Sequence, residues 1–343
     1  MKALVFNNGL QYRTDYPMPE LKENEALIRV IYAGICNTDI EITKGYMGFQ
    51  GVPGHEFVGV VEKCGESNLV GKRVSGEINV GCGACSYCRE DMQNHCPDRS
   101  VPGILNKDGA FAEYITLPVR NLHIIPDSLS DEEAVFIEPL AAAFEILKQV
   151  KITPSDKVCV LGDGKLGLLV GQALSTTSCD LVVVGKHKEK LSILEGMGIR
   201  TELISSKNPP TSPFSKGGLN SPLSRGVRGV FPSLNKSFDI VVDCTGSPSG
   251  IETALALVKP RGKIILKTTV AGSRQIDLNK IVIDEISVLG SRCGPFPAAI
   301  KAIEAKKVNL LPLVGKRFNL KNGVKAFEYA SRKGALKALL KIN

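Results

Sequence analysis

A chain of 343 residues with 43% apolar residues exceeds what one core usually organises, so two domains are expected. No apolar run reaches the ~20 residues of a membrane span. Met1 to Phe6 also runs into Asn7-Asn8-Gly9 without the apolar stretch of a signal peptide, so a soluble cytoplasmic protein is expected. The formal charge of +8 does not indicate nucleic acid: Lys207, Lys216, Arg225, Arg228 and Lys236 carry most of the excess in a segment without acidic residues, and the remaining +3 suits no more than an anionic cofactor.

Taken in order, the first 125 residues alternate short β patterns with Gly and Pro punctuation: Lys2 to Phe6, Glu25 to Tyr32, Glu56 to Cys64, Arg73 to Gly76 and Ala112 to Pro118. From Asp131 the spacing turns helical, then strands alternate with helices, the mark of a parallel sheet with crossover helices. Lys157 to Leu161 reads as a strand, Gly162-Asp163-Gly164-Lys165-Leu166-Gly167 as the turn after it, Leu168 to Leu174 as a helix and Asp180 to Val184 as the next strand. In that context Gly162, Gly164 and Gly167 form a dinucleotide fingerprint: they permit a tight turn and let a pyrophosphate reach the helix N-terminus beside Lys165 and Leu166.

An NAD site calls for an acidic residue about 20 positions on. Gly185 stands there, followed by Lys186, His187 and Lys188, so the expectation is NADP, with NAD as the alternative. Further strands are expected at Phe238 to Cys244, ending in Thr245-Gly246, and at Lys263 to Leu266, ending in Lys267-Thr268. Strand ends of this kind face the ligand crevice, which makes Thr245, Gly246 and Thr268 cofactor candidates. Lys267 either addresses an anionic group or extends to solvent. Five prolines and no carboxylate between 207 and 236 predict a mobile surface insertion there. A strand Ser287 to Leu289, helices Ala298 to Lys306 and Gly323 to Ser331, and a strand Ala338 to Ile342 close the chain, returning to the first domain.

Ten cysteines are too unevenly placed for a disulfide framework, and Cys82, Cys85, Cys88 and Cys96 are spaced as four thiolate ligands of a structural zinc. An iron–sulfur cluster is the rival, but seven residues before the last cysteine do not match that spacing. His95, inside this lobe, is expected on the surface. A second, open site is expected from Cys36 and His55, with Glu56 or Glu138 as a carboxylate ligand. Val52-Pro53-Gly54 sets His55 and Glu56 directly after a rigid turn.

Gly34-Ile35-Cys36-Asn37-Thr38-Asp39, Pro53-Gly54-His55-Glu56, the four-cysteine lobe, Gly109 to Tyr114 and Gly162 to Gly167 together resemble the zinc-dependent alcohol dehydrogenases of the medium-chain dehydrogenase/reductase superfamily. The resemblance spans the chain apart from the 207–236 segment. It implies a GroES-like β-rich catalytic domain (1–139, zinc lobe 81–97, and 281–343) and a doubly wound Rossmann α/β domain (140–280). Ile137-Glu138-Pro139-Leu140 looks like the sorbitol, threonine and glucose dehydrogenase branches. It implies Glu138 as a ligand, Glu56 as a carboxylate able to approach the metal, Thr38 as proton relay, Glu41 where a histidine often stands, and Lys337 near the cofactor pyrophosphate. Two zinc ions per chain, an alcohol or carbonyl substrate (polyol, sugar or aromatic alcohol) and a homodimer or homotetramer are likewise implied. A zinc-independent quinone or enone reductase on the same fold, or a non-enzymatic NADP-binding protein, are the competing readings.

Overall fold

The computed structural model describes residues 1–204, 235–268 and 276–343, so the expected insertion at 207–236 lies outside the described residues except at its last two. The chain divides into two compact units, Met1–Ala141 with Cys293–Asn343, and Ala142–Arg292.

In the first unit the strands are β1 (Ala3–Phe6), β2 (Leu10–Arg13), β3 (Glu25–Gly34), β4 (Glu56–Cys64), β5 (Arg73–Gly76), β6 (Tyr114–Pro118) and β7 (Leu122–Ile124). In the second they are β8 (Lys157–Leu161), β9 (Asp180–Gly185), β10 (Arg200–Leu203), β11 (Phe238–Asp243), β12 (Val258–Leu266) and β13 (Ser287–Gly290). The chain then returns to the first unit with β14 (Val314–Asn319) and β15 (Lys337–Lys341).

β3 and β4 are the long antiparallel pair at the centre of a sheet ordered β14-β15-β3-β4-β5-β7, with β6 also paired to β3. Ile28 and Val30 of β3, Phe57 and Val61 of β4, Ile115 and Leu117 of β6 and Leu340 of β15 fill one apolar core. This register sets Gly34, Glu56 and the start of β15 side by side: Gly34 pairs with Glu56 on one flank and with Leu339 on the other. A Cβ at Gly34 would stand 2.7 Å from both Glu56 Oε2 and Val135 Cγ1, so only glycine lets that carboxylate fold back over the strand end.

Among the described residues, the second unit holds six parallel strands in the order β10-β9-β8-β11-β12-β13. Strand order reverses between β8 and β11, where a ligand crevice forms at the carboxyl ends of the strands. Cys159, Leu161, Val182, Val184, Val241 and Ile264 pack from the sheet against Ile251, Ala254 and Leu257 of helix Gly250–Leu257. Two expected boundaries shift. β12 begins at Val258, not Lys263, because the helix ends at Leu257 and the chain is already extended through Pro260. The return to the first unit falls at Cys293 and not at 281, since β13 pairs in parallel with β12 and extends the dinucleotide sheet.

Candidate metal centres and dinucleotide turn

Cys36 is the N-cap of the short helix Asn37–Ile42. Asp39, three residues on, accepts the Cys36 N–H at 2.7 Å through Oδ2 and the Gly54 N–H at 3.2 Å through Oδ1. The same Oδ1 lies 3.3 Å from His55 Nδ1. One fully buried carboxylate therefore ties the Cys36 turn to the Pro53-Gly54-His55 turn. Gly54 has φ +99°, and a Cβ there would run into the Phe111 ring at 2.5 Å. Burial opposes a charged imidazole at His55, yet Asp39 and Cys36 beside it hold its pKa well above the ordinary value.

Glu56 opens β4 and is wholly buried. Its Oε2 accepts from Lys337 Nζ, whereas Oε1 has no hydrogen-bond partner. A buried, unpaired carboxylate oxygen is costly unless a cation or donor meets it. One side-chain donor atom each from Cys36, His55 and Glu56 lies within 4.8 Å of the others, so this thiol, imidazole and carboxylate set fits a zinc ion. The Thr38 hydroxyl stands 3.8 Å from Cys36 Sγ.

The second cluster joins Cys82, Cys85, Cys88 and Cys96, whose four sulfurs also lie within 4.8 Å of one another without disulfides. The Ala84 and Cys85 N–H groups both point at Cys82 Sγ at 3.4 Å, and the Cys82 N–H at Cys96 Sγ at 3.3 Å. Ala84 and Cys85 draw the Cys82 thiol down to about 6, as suits a thiolate ligand. Four thiolates close a tetrahedral shell and leave no position for substrate. His95 is exposed beside the cluster.

In the dinucleotide unit, Gly162 leaves β8 with φ +108°, and a Cβ there would meet the Cys244 carbonyl oxygen at 2.7 Å. A Cβ on Gly167 would meet the Gly162 oxygen at 2.0 Å, whereas Gly164, the N-cap of helix Lys165–Ser175, faces open space. Two glycines close the turn and the middle one leaves room for a phosphate at the helix N-terminus, where Lys165 and Leu166 begin the first turn.

Residues 22–127 match the Alcohol dehydrogenase GroES-like domain family and residues 166–305 the Zinc-binding dehydrogenase family. The sorbitol dehydrogenase of Bacillus subtilis (strain 168) is 30% identical, across 96% of this chain and 93% of that protein. This chain belongs to the zinc-dependent alcohol dehydrogenase family. The D-arabitol-phosphate dehydrogenase of Enterococcus avium is 27% identical over 96% of the chain and 93% of its own length. Among solved structures, the short chain alcohol dehydrogenase of Escherichia coli CFT073 complexed with cofactor NADH superposes with a TM-score of 0.87 at 26% identity, covering 100% of this chain and 99% of that one.

Within this dehydrogenase the expected site residues divide. Cys36, His55 and Glu56 converge; Glu138, buried in the first turn of helix Ile137–Gln149, lies outside their donor group. Glu41 pairs with Lys44 Nζ at 2.9 Å. Lys337, expected near the cofactor pyrophosphate, is enclosed beside Glu56. It is 1% exposed, its Nζ is bonded to Glu56 and lies 5.7 Å from the centre of the Phe136 ring, and Glu56 raises its pKa against the opposing effect of burial. Lys267 reaches neither solvent nor a free strand end: its Nζ donates to the carbonyls of Ala142 at 2.6 Å and Arg292 at 2.9 Å.

Thr245 and Thr268 both donate to the buried carboxylate of Asp243, and Gly246 N–H donates to Thr268 Oγ1 at 3.1 Å, so the β11 and β12 ends form one network. Lys186 and Lys188 are exposed, while His187 caps helix Lys188–Glu195. Met47, Phe49 and Gln50 line a cavity of about 340 Å³ shared with Leu105, Asn106 and Asp108. Asp39 has no role in the sequence reading, although an acidic residue three positions after a helix cap is itself a signal.

Proposed function

We propose that this chain oxidises the secondary hydroxyl of a polyol or sugar alcohol, and reduces the matching carbonyl, with a nicotinamide dinucleotide as hydride partner. The observation that carries the reading is the Cys36, His55 and Glu56 donor set with Glu56 Oε1 unsatisfied, in a chain that also bears an open Gly164 turn at a helix N-terminus. Zinc held by Cys36 and His55, with Glu56 or Glu138 as the carboxylate, would supply Lewis acidity to an alcohol oxygen. The Thr38 hydroxyl, beside Cys36, would relay the proton, accepting from the substrate hydroxyl while passing its own proton on to water. Asp39 keeps the two ligand-bearing turns in register, and Lys337 holds one oxygen of Glu56 while the other is left for the metal. The sorbitol and D-arabitol-phosphate dehydrogenases that the chain resembles support a polyol as the substrate.

A second zinc at Cys82, Cys85, Cys88 and Cys96 is proposed as structural. Gly162, Gly164, Lys165, Leu166 and Gly167 are proposed to take the pyrophosphate, and Thr245, Gly246 and Thr268 to line the crevice. Lys186, His187 and Lys188 favour NADP on charge, and Asp163 opposes it. Self-association is proposed through helix Leu278–Ile283, whose Leu278, Val282 and Ile283 are 64, 74 and 78% exposed near β13, the last strand of its sheet. Initial rates on a panel of polyols, sugars and aromatic alcohols with NAD and NADP test the substrate reading. Turnover confined to aromatic alcohols, or absent throughout, would overturn it.

A further inference from the structure

Asp163 stands between Gly162 and Gly164, yet its side chain does not stay with that turn. It crosses to the end of β9, where Oδ2 accepts the N–H groups of Lys186 and His187, each at 2.6 Å, and His187 Nδ1 lies 3.0 Å from both carboxylate oxygens. A Cβ added to Gly185 would stand 2.5 Å from Asp163 Oδ2 and 2.6 Å from Asp163 Cβ. The carboxylate of Asp163 therefore fills the space that a side chain at 185 would enter. In dinucleotide folds the residue ending the second strand supplies the carboxylate that accepts the ribose hydroxyls. Here that strand ends in glycine, and a carboxylate reaches the same place from the first turn.

Resting on the dinucleotide reading above, we infer that Asp163 is the ribose-binding, cofactor-discriminating residue of this chain, and that it selects NAD over NADP. The hydrogen-bond inventory leaves room for that role. A carboxylate offers about four lone-pair positions; the two backbone N–H groups both fall on Oδ2, and among the described residues Oδ1 has only the imidazole. One ribose hydroxyl can be received by the position left on Oδ1. A 2′-phosphate would instead meet a fixed anion that is only 6% exposed. Lys186 and Lys188 are exposed on flexible stems, and exposed ammonium groups offset little of such repulsion. The charge argument for NADP drawn from these lysines therefore yields to the carboxylate that sits closer to the turn. The same geometry shows why Gly185→Asp alone is a poor test: it would force two carboxylates into one space.

Titration of NADH and NADPH by their own fluorescence, on the full-length protein, decides the matter. Wild type is expected to bind NADH at least about tenfold tighter than NADPH. Asp163→Asn, which keeps the shape and an acceptor for the two N–H groups, is expected to weaken NADH by about tenfold, the worth of a charge-assisted hydrogen bond, while NADPH is unchanged or tighter. The exchange Asp163→Gly with Gly185→Asp vacates the space and returns the carboxylate on the second strand, so NADH preference is expected to recover. A wild type that prefers NADPH overturns the inference. So does an Asp163→Asn variant that weakens both cofactors alike, the signature of a loop clamp, or an exchange variant without preference. Should Asp163→Asn fail to fold by thermal melting, the wild-type ratio and the exchange variant still decide it. Wild type that binds neither cofactor removes the dinucleotide reading itself, an outcome separate from a failure of Asp163 alone.

Discussion

Lys337 and Glu56 are separated by 281 residues of chain and joined as a fully enclosed ion pair, with side chains 2% and 0% exposed. Two charges removed from water are costly, and their attraction offsets that cost only while both are present. Lys337→Met should therefore destabilise the fold by about 3–5 kcal/mol, because it strands the Glu56 charge, whereas Lys337→Met with Glu56→Gln should recover most of that loss. Urea unfolding of the two singles and the double measures the coupling. Simple additivity would show that the pair does not act as one unit.

Asp39 faces Cys36, Gly54 and His55 at once and is fully buried. Asp39→Ala leaves two N–H groups without their acceptor and frees the imidazole to rotate. The expected result is a loss of about 10–100-fold in zinc affinity at the Cys36 site, read by chelator competition. Affinity equal to wild type would remove Asp39 from the positioning role.

The four-cysteine lobe should have its own pH signature once the proposed zinc is withdrawn. With its thiol near 6, Cys82 is mostly thiolate at pH 7, so it should be the first of the four alkylated by iodoacetamide after chelation. Labelling should slow about tenfold per pH unit below that value, since only the thiolate reacts. Mass mapping of the labelled peptide checks this; uniform labelling of Cys82, Cys85, Cys88 and Cys96 would contradict it. Chelation should also lower the melting temperature, because a thiolate shell of this kind contributes folding energy directly.

Val282 is 74% exposed on a helix whose apolar side continues through Leu278 and Ile283. Val282→Asp should lower the mass in solution from an oligomer to a monomer, as measured by light scattering. A wild type that is already monomeric would leave that face without the proposed function.

What the sequence revealed depended on whether a signal was local. The Gly162 to Gly167 turn was legible because strand, turn and helix follow one another within 20 residues, and the four-cysteine cluster because its ligands share one loop. Cys36 and His55 were legible by residue type. The pairing of Lys337 with Glu56 was not, since it depends on β15 docking beside β3 in a register that brings position 337 to the start of β4. Nor was the role inferred for Asp163, which follows from where Gly185 leaves room. The boundary at Cys293 was missed for the same reason: β13 is a short strand whose membership in the dinucleotide sheet is decided by its neighbour β12, not by its own four residues.

Cys36, His55 and Glu56 are proposed to hold a zinc ion on which alcohol oxidation depends. Zinc content and NAD(P)-linked polyol oxidation, measured together on wild type and Cys36→Ser, test it most directly. Wild type should carry about two zinc ions per chain and turn over, while Cys36→Ser should retain about one, keep its circular dichroism spectrum and lose turnover. A wild type that turns over with about one zinc per chain, or a Cys36→Ser variant that keeps both metal and activity, would contradict the claim.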